Sequence, residues 1–286
     1  SWAVNQVFDL QSQTQEPLVI FGELIHNHQF NQLLAQKNIH TAHHLEECQD
    51  KIVVIRSHGL PPQTEKDLRA TAQKVIDLTC PNVKKVQQLV KHYSKQGYNI
   101  LITGSENHPE VIGLRGYATH SLVLENLQQA QELKELPQGV LISQTTFSQN
   151  LFLQIAQVLQ EKFPNIKIEN TLCAATRVRQ KEVEELAKQC DLLIIVGGKH
   201  SSNTKKLQER ALNSGAKKVL LIETAQELQT KDFNQSFKIA IASGASTPLW
   251  LIEEVKQKIE QSTKYRLWNI RLILQGLVLL KLFYRY

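Results

Sequence analysis

The chain has 286 residues, of which 42% are hydrophobic and 21% charged, a balance typical of a globular protein with a substantial core. Its net charge is +6, but residues 266–286 carry four basic side chains and no acidic one, so subtracting that +4 leaves +2 for the rest. Because no basic stripe is interleaved with aromatic residues, the composition argues against nucleic-acid binding. The length predicts two or three domains.

The cysteine content indicates a reducing compartment, and hence the cytoplasm. Four cysteines occur without a secretory signal or a cysteine-rich small-domain pattern. Metal or redox chemistry is therefore the stronger interpretation of these cysteines, and disulfides are the weaker one. The chain contains no methionine, even at position 1, so we expect the natural start to lie upstream.

In chain order, the first part of the sequence alternates between helical and strand patterns. The predicted elements are a helix over 1–13, a strand over 18–21, a helix over 29–36, a strand over 52–55, a helix begun by Pro61 and Pro62, and a strand that ends at Cys80. Two of these strands end in loops that carry His26 and His58. Short polar loops therefore follow the strands, where binding residues commonly lie.

The same order then recurs twice. The predicted elements are a helix over 83–95, strands over 99–103 and 139–143, a helix over 150–163, a strand before Cys173, a helix over 176–189, strands over 192–196 and 239–242, and a helix over 249–259. Such alternation predicts parallel sheets with helices on both faces, which bind ligands beyond the carboxyl ends of the strands. We predict an α/β fold of three similar lobes in a pseudo-threefold arrangement, with their loops facing a common centre.

The predicted lobe boundaries follow the two cysteine turns. The lobes cover residues 1–80, 81–172 and 173–265, and a basic, apolar tail covers 266–286. Polar side chains interrupt the tail and leave it short of an uncharged membrane span, so stable membrane insertion is not expected. We expect the tail to be an added amphipathic helix or a non-native extension.

Cys80 and Cys173 each end a strand and open a helix. The helix dipole and the unpaired N–H groups of the first turn favour a thiolate, which is then suited to metal ligation or redox chemistry. A small buried residue that caps a helix is the alternative. Cys48 and Cys190 lack this placement, and we expect both to be ordinary cysteines.

Neutral donors and imidazoles dominate the loops after the strands. These residues are His26, Asn27, His58, His108, Glu110, Thr145, Thr146, Ser201, Ser202, Asn203 and Ser246. Hydroxyl and amide groups near helix N-termini suit phosphate oxygens, although Ser201–Asn203 could serve only as a helix cap and the histidines could be structural. The chain has no Walker or Rossmann glycine motif, which argues against a nucleotide-dependent function. The Glu110 carboxyl group could deliver a proton.

Seven short motifs occur in the order that is found in one known family. They are GELIHN at 22–27, SHG at 57–59, DLTCP at 77–81, HPEV at 108–111, QTT at 144–146, CAATRVRQ at 173–180 and SSN at 201–203. Over roughly residues 1–259 the chain resembles the 4-hydroxy-3-methylbut-2-enyl diphosphate reductases of the non-mevalonate isoprenoid pathway.

The resemblance implies a three-lobed iron–sulfur reductase in which three cysteines hold a 4Fe-4S cluster and leave one iron free for the substrate hydroxyl. Cys80 and Cys173 match two of these ligands. The third is expected just before Ser1, together with the first lobe's N-terminal strand, so we expect low activity from residues 1–286 alone. Ferredoxin or flavodoxin is the implied electron donor, and isopentenyl and dimethylallyl diphosphate are the implied products.

The resemblance also implies roles for the loop residues. Glu110 matches a proton relay, and Thr145 matches the residue that orients the substrate hydroxyl. The implied substrate-binding residues are His26, His58, His108, Thr145, Ser201, Ser202, Asn203 and Ser246.

Two other functions remain open from the sequence. One is a non-catalytic relative that binds an isoprenoid diphosphate or a protein without holding a cluster. The other is a phosphate-ester hydrolase or transferase, which is disfavoured because no nucleophile–base pair or dense carboxylate set is present.

Overall fold

The computed structural model describes residues 2–14, 16–23, 34–232, 238–244, 247–262, 265–273 and 278–285. The chain folds into two compact units. The first unit contains Gln6–Leu24 and Leu34–Cys173, and the second is built mainly from Ala174–Tyr286. Most of the predicted helix over 29–36 lies outside the described residues.

The first unit begins with a four-stranded parallel sheet in the order β2-β1-β3-β4. Its elements are α1 (Trp2–Ser12, which belongs to this unit from Gln6 onward), β1 (Leu18–Phe21), β2 (Ile39–Ala42), a 3-10 turn (Leu45–Cys48), β3 (Ile52–Ile55), α2 (Pro62–Thr71) and β4 (Lys74–Asp77). The β-branched run of β3 is buried at the centre of the sheet, as expected for a parallel strand covered on both faces.

A second parallel sheet follows in the same unit, in the order β6-β5-β7-β8. Its elements are α3 (Pro81–Lys95), β5 (Asn99–Thr103), α4 (Pro109–Arg115), β6 (Ser121–Leu124), α5 (Leu127–Glu132), β7 (Gly139–Ser143), α6 (Gln149–Lys162) and β8 (Lys167–Ile168). Alternate side chains of β5 face opposite layers: Ile100 and Ile102 pack with α3 and α4, whereas Leu101 packs with α6. Helices therefore cover both faces of this sheet.

The second unit contains a third sheet, in the order β10-β9-β11-β13-β12. Its elements are α7 (Ala174–Gln189), β9 (Leu192–Val196), α8 (Ser202–Asn213), β10 (Val219–Ile222), two 3-10 turns (Ala225–Glu227 and Thr230–Asp232), β11 (Lys238–Ser243), α9 (Leu249–Ser262), β12 (Tyr265–Ile273) and β13 (Val278–Arg285). Strand β9 is fully buried, with α9 against one face and α7 and α8 against the other.

The tail differs from its predicted structure. The expected amphipathic helix is wrong, because β12 and β13 form an antiparallel pair that extends the third sheet beside β11. Short apolar runs broken by single polar residues fit a strand as well as a helix, so periodicity alone does not decide between them. The pairing of β13 with β11 favours the strand, because it satisfies a row of backbone N–H and C=O groups that β11 would leave unpaired as an edge strand.

Three sheets, each with a parallel core, confirm the predicted α/β class and its three lobes. Three outer strands, β2, β6 and β10, are not among the predicted elements. None of the helices in the described part of the chain has the length and hydropathy of a bilayer-spanning segment. The common centre of the three lobes stays a prediction.

Two glycines with a positive φ, Gly59 and Gly97, allow a test of how tightly the loop that carries His58 is packed. Gly59 has a φ of +72°, and an added Cβ would lie 2.4 Å from Gln87 Nε2 and 3.0 Å from Thr79 Cγ2. Gly97 has a similar φ of +80° with nothing within 4 Å of an added Cβ. We expect Gly97→Ala to lower the free energy of unfolding by about 1 kcal/mol, the cost of the left-handed backbone, and Gly59→Ala by about 1–2 kcal/mol more because Gln87 is buried. Urea unfolding measures both, and equal losses would show that the loop has room to relax.

Candidate active site

The Cys80 turn is fixed by three hydrogen bonds, one to a side chain and two within the backbone. The Asp77 carboxylate accepts a hydrogen bond from the Thr79 N–H at 2.8 Å, and the Cys80 N–H donates to the Ser57 carbonyl at 3.0 Å. The Lys84 N–H then donates to the Cys80 carbonyl at 2.9 Å. Cys80 is the N-cap residue of α3 and is half-buried with a free thiol. This is the strand-to-helix turn that the sequence predicts.

Cys173 occupies a comparable turn, directly before α7. Its N–H donates to the Thr145 carbonyl at 2.9 Å, and its thiol is free and half-buried. The Asn82 side-chain amide, two residues beyond Cys80, donates to the Cys173 sulfur at 3.3 Å. The structure therefore brings the first turn of α3 to the sulfur of the second predicted ligand.

Glu110 and Thr145 form a buried pair joined by two hydrogen bonds. The Thr145 N–H donates to Glu110 Oε1 at 2.7 Å, and the Thr145 hydroxyl donates to Glu110 Oε2 at 2.9 Å. Only 2% of Glu110 and 5% of Thr145 is exposed. Since a buried carboxylate requires hydrogen-bond donors, Thr145 supplies the bonds that make this placement possible. Thr145 thus connects Glu110 to the Cys173 turn.

Two predicted histidines lie beside this pair. The ring centroids of His58 and His108 are 5.2 Å apart, with the planes at 86°. His108 is the N-cap residue of α4, and its Nδ1 accepts a hydrogen bond from the Glu110 N–H at 3.1 Å. The structure therefore brings together the predicted residues of the first unit, namely His58, His108, Glu110, Thr145 and the Cys173 turn.

In the second unit, the predicted serine and asparagine residues begin α8. Ser201 caps the helix, since its hydroxyl accepts a hydrogen bond from the Thr204 N–H at 3.4 Å. Asn203 is 8% exposed, and neither atom of its amide has a hydrogen-bond partner among the described residues. A buried amide without partners is costly, so Asn203 has the capacity to bind a polar ligand. His26 and Ser246 lie outside the described residues, as does the side chain of Ser202.

The four thiols fall into two environments. Cys48 and Cys190 are buried, and burial raises the pKa of both thiols, that of Cys190 to about 11. A neutral buried thiol is a poor metal ligand, whereas Cys80 and Cys173 are half-buried and each directly precedes a helix. Within the described ranges, no group of three or more His, Cys, Asp or Glu residues is arranged to hold a single metal ion.

Sequence reasoning missed Asn82. Its signal was its position in the first turn of a helix that Cys80 opens, where a side chain can reach whatever the cysteine faces. The partner of Asn82 is 91 residues away, so only the folded chain identifies it.

Comparison with known proteins gives a consistent result. The LytB protein family model matches residues 1–260. A curated protein from Helicobacter pylori, named 4-hydroxy-3-methylbut-2-enyl diphosphate reductase, is 42% identical over 265 residues, which covers 90% of this chain and 94% of that protein. A protein of the same name from Alkaliphilus oremlandii is 36% identical over 259 residues, with 90% and 93% covered.

Two solved structures are also similar. One is titled as the E-1-hydroxy-2-methyl-but-2-enyl-4-diphosphate reductase from Plasmodium falciparum. It has a TM-score of 0.81 and 29% identity, and the match covers 91% of this chain and 82% of that one. Another structure is titled as the reductase that is the terminal enzyme of the non-mevalonate pathway. It has a TM-score of 0.69 and 35% identity, with 91% and 93% covered.

The charge of Asp77 provides a test of the Cys80 turn. Burial alone would raise the pKa of the Asp77 carboxyl, but hydrogen bonds from Lys84 and Thr79 outweigh this effect and lower the pKa below its usual value. A lowered pKa means that the stabilisation is present above the unfolded-state pKa of about 3.9 and is lost as the pH falls through the folded-state value. We expect Asp77→Asn to destabilise the protein at pH 7 by less than about 1 kcal/mol, because Lys84 is half exposed.

This loss should disappear in urea unfolding at acidic pH, below the folded-state pKa of Asp77. The Lys84→Met background is the control, since the ion pair is already absent there and Asp77→Asn should have a smaller effect. A loss that is independent of pH would mean that the charge of Asp77 does not stabilise the turn.

Proposed function

The chain belongs to the LytB protein family, and on this premise we propose that it reduces 4-hydroxy-3-methylbut-2-enyl diphosphate to isopentenyl and dimethylallyl diphosphate. The reaction consumes two electrons and two protons, breaks the carbon–oxygen bond of the hydroxyl group and releases water. The observation that carries the proposal is the buried Glu110–Thr145 pair, hydrogen bonded to the backbone of Cys173. This arrangement suits proton delivery beside a thiolate ligand.

We assign Cys80 and Cys173 as ligands of a 4Fe-4S cluster. Both thiols are free and half-buried, and each lies at the start of a helix, which suits a thiolate ligand. When bound, such a cluster with one open iron supplies electrons and a Lewis acid for the hydroxyl group. The buried and neutral thiols of Cys48 and Cys190 are not part of this assignment.

Thr145 and Glu110 are proposed to orient the substrate hydroxyl and to supply its proton. The Thr145 Oγ1 atom donates to Glu110 Oε2, so it can accept a hydrogen bond from the substrate hydroxyl while it remains bonded to the carboxylate. Proton delivery reverses this chain: a protonated Glu110 Oε2 donates to Thr145 Oγ1, and the Thr145 hydroxyl proton passes to the leaving oxygen, which departs as water. Their burial keeps bulk water from competing with this transfer.

We assign the diphosphate to the imidazole, hydroxyl and amide groups of the loops. Support comes from His58 and His108 in the first unit, and in the second from Asn203, whose buried amide has no partner among the described residues. Ser201 contributes the start of α8, where helix N–H groups favour an anion. His26, Ser202 and Ser246 belong to the same proposal on the strength of their motifs.

The remaining assignments follow from the same chemistry. Electrons must come from a protein that transfers them singly, and ferredoxin or flavodoxin is the proposed donor. The proposed compartment is the cytoplasm, since four cysteines without a disulfide in the described structure fit a reducing environment. The second candidate is a relative that binds the diphosphate without a cluster, and the unpartnered amide of Asn203 is compatible with it.

The cluster assignment is tested by cysteine replacement. We expect the protein expressed from its full reading frame and reconstituted anaerobically to show the visible absorbance of a 4Fe-4S cluster. Cys80→Ser and Cys173→Ser should each lose most of this absorbance, because each removes a ligand. Cys48→Ser and Cys190→Ser are matched controls that should retain it.

If the reconstituted protein contains no iron and still binds the diphosphate with unchanged affinity, this result would instead support the function of a non-catalytic relative.

The proton relay is tested at Glu110. We expect Glu110→Gln to lower kcat at least about 100-fold, because an amide keeps the shape of the carboxyl but cannot deliver the proton. Glu106→Gln is the matched control, since Glu106 lies in the loop just before α4 but is exposed and paired with Arg115. Turnover with a chemical reductant measures both, and a Glu110→Gln enzyme with unchanged kcat would rule out the relay.

A further inference from the structure

Asn82 makes an unusual contact for a polar side chain at the start of a helix. It is the second residue of α3, whose N-cap is Cys80, and its amide donates a hydrogen bond of 3.3 Å to Cys173 Sγ. Asn82 itself is exposed, so its amide had access to water as an alternative partner. Burial therefore does not force the Asn82 amide to bond to the Cys173 sulfur.

The strength of the hydrogen bond from Asn82 depends on whether the Cys173 sulfur is a thiol or a thiolate. A thiol sulfur is a weak acceptor, whereas a thiolate is negatively charged and accepts a substantially stronger hydrogen bond. The bond from Asn82 therefore gains most of its strength when Cys173 is ionised, as a metal ligand must be. The backbone N–H of Cys173 is held by the Thr145 carbonyl at 2.9 Å, so the residue is fixed through both its main chain and its sulfur.

We propose that Asn82 positions the Cys173 sulfur and raises the reduction potential of the cluster that this sulfur ligates, an inference that rests on the proposed function. Reduction adds one electron from the donor protein to the cluster and makes no bond, so the charge on the ligand sulfurs becomes more negative. A hydrogen bond to one of these sulfurs stabilises the reduced form more than the oxidised form. Asn82 thus makes the cluster easier to reduce by the donor.

The test is a redox titration of reconstituted protein, followed by the electron paramagnetic resonance signal of the reduced cluster. We expect Asn82→Leu to lower the ratio of reduced to oxidised cluster at a fixed potential by about threefold, or about 28 mV at 59 mV per tenfold change for one electron. Asn82→Asp, which keeps the size but replaces the donor with a negative charge, should lower it further. Asn82→Gln keeps an amide donor and should restore part of the loss.

Gln88→Leu is the matched control, because Gln88 is another exposed amide of α3 and its loss should leave the potential unchanged. Resonance Raman spectroscopy provides a second measurement for any variant that holds too little cluster for the redox titration. In wild-type protein, exchange into heavy water should shift the iron–cysteine stretching bands of the resonance Raman spectrum, and the part of this shift that is due to Asn82 should be absent in Asn82→Asp.

The outcomes separate this inference from the function on which it rests. A wild-type protein that binds no cluster would overturn both. A cluster that is lost in Cys173→Ser, but that has the same potential in wild type and in Asn82→Leu, would overturn the role of Asn82 alone. The predicted order of potentials, wild type above Gln above Leu above Asp, would support it.

Discussion

The hydrogen bonds of Thr145 are the constraint on which the rest of the site depends. One residue donates its N–H and its hydroxyl to the two oxygens of Glu110, while its carbonyl accepts the N–H of Cys173. Without these donors a carboxylate that is 2% exposed would carry a large desolvation cost. Because all three bonds converge on one residue, the carboxyl group, the hydroxyl and the cysteine turn hold a fixed relation to one another.

The parallel sheets explain why these residues meet. Thr145 follows β7 and Glu110 follows β5, and these strands are adjacent and parallel in the second sheet. Their carboxyl ends therefore lie at the same edge, and the loops that leave them must be neighbours. Both faces of the sheet are covered by apolar side chains, so the polar residues are confined to this edge. The fold thus separates an apolar interior, which provides stability, from an edge that carries the chemistry.

Strand and helix patterns predicted much of this arrangement. The central strands were predictable because buried parallel strands form continuous β-branched runs, and the loop residues were predictable because they follow such strands. The outer strands β2, β6 and β10 are absent from the predicted set. The tail was assigned wrongly because its partner, β11, is supplied by the tertiary structure. The contact between Asn82 and Cys173 was out of reach for the same reason, since local patterns do not report partners distant in sequence.

The four cysteines show how one residue type acquires different chemistry from its surroundings. Cys48 and Cys190 lie within apolar clusters, where burial favours the neutral thiol and packing is the main contribution. Cys80 and Cys173 each lie directly before a helix, in the segments that follow β4 and β8, with helix N–H groups on one side and partial access to solvent on the other. A sulfur in that position is accessible to a metal, and a nearby donor such as Asn82 then acts on the charge of the sulfur. The difference between a packing cysteine and a ligand cysteine is therefore set by its surroundings, since Cys48 and Cys190 lie in apolar clusters whereas Cys80 and Cys173 directly precede helices.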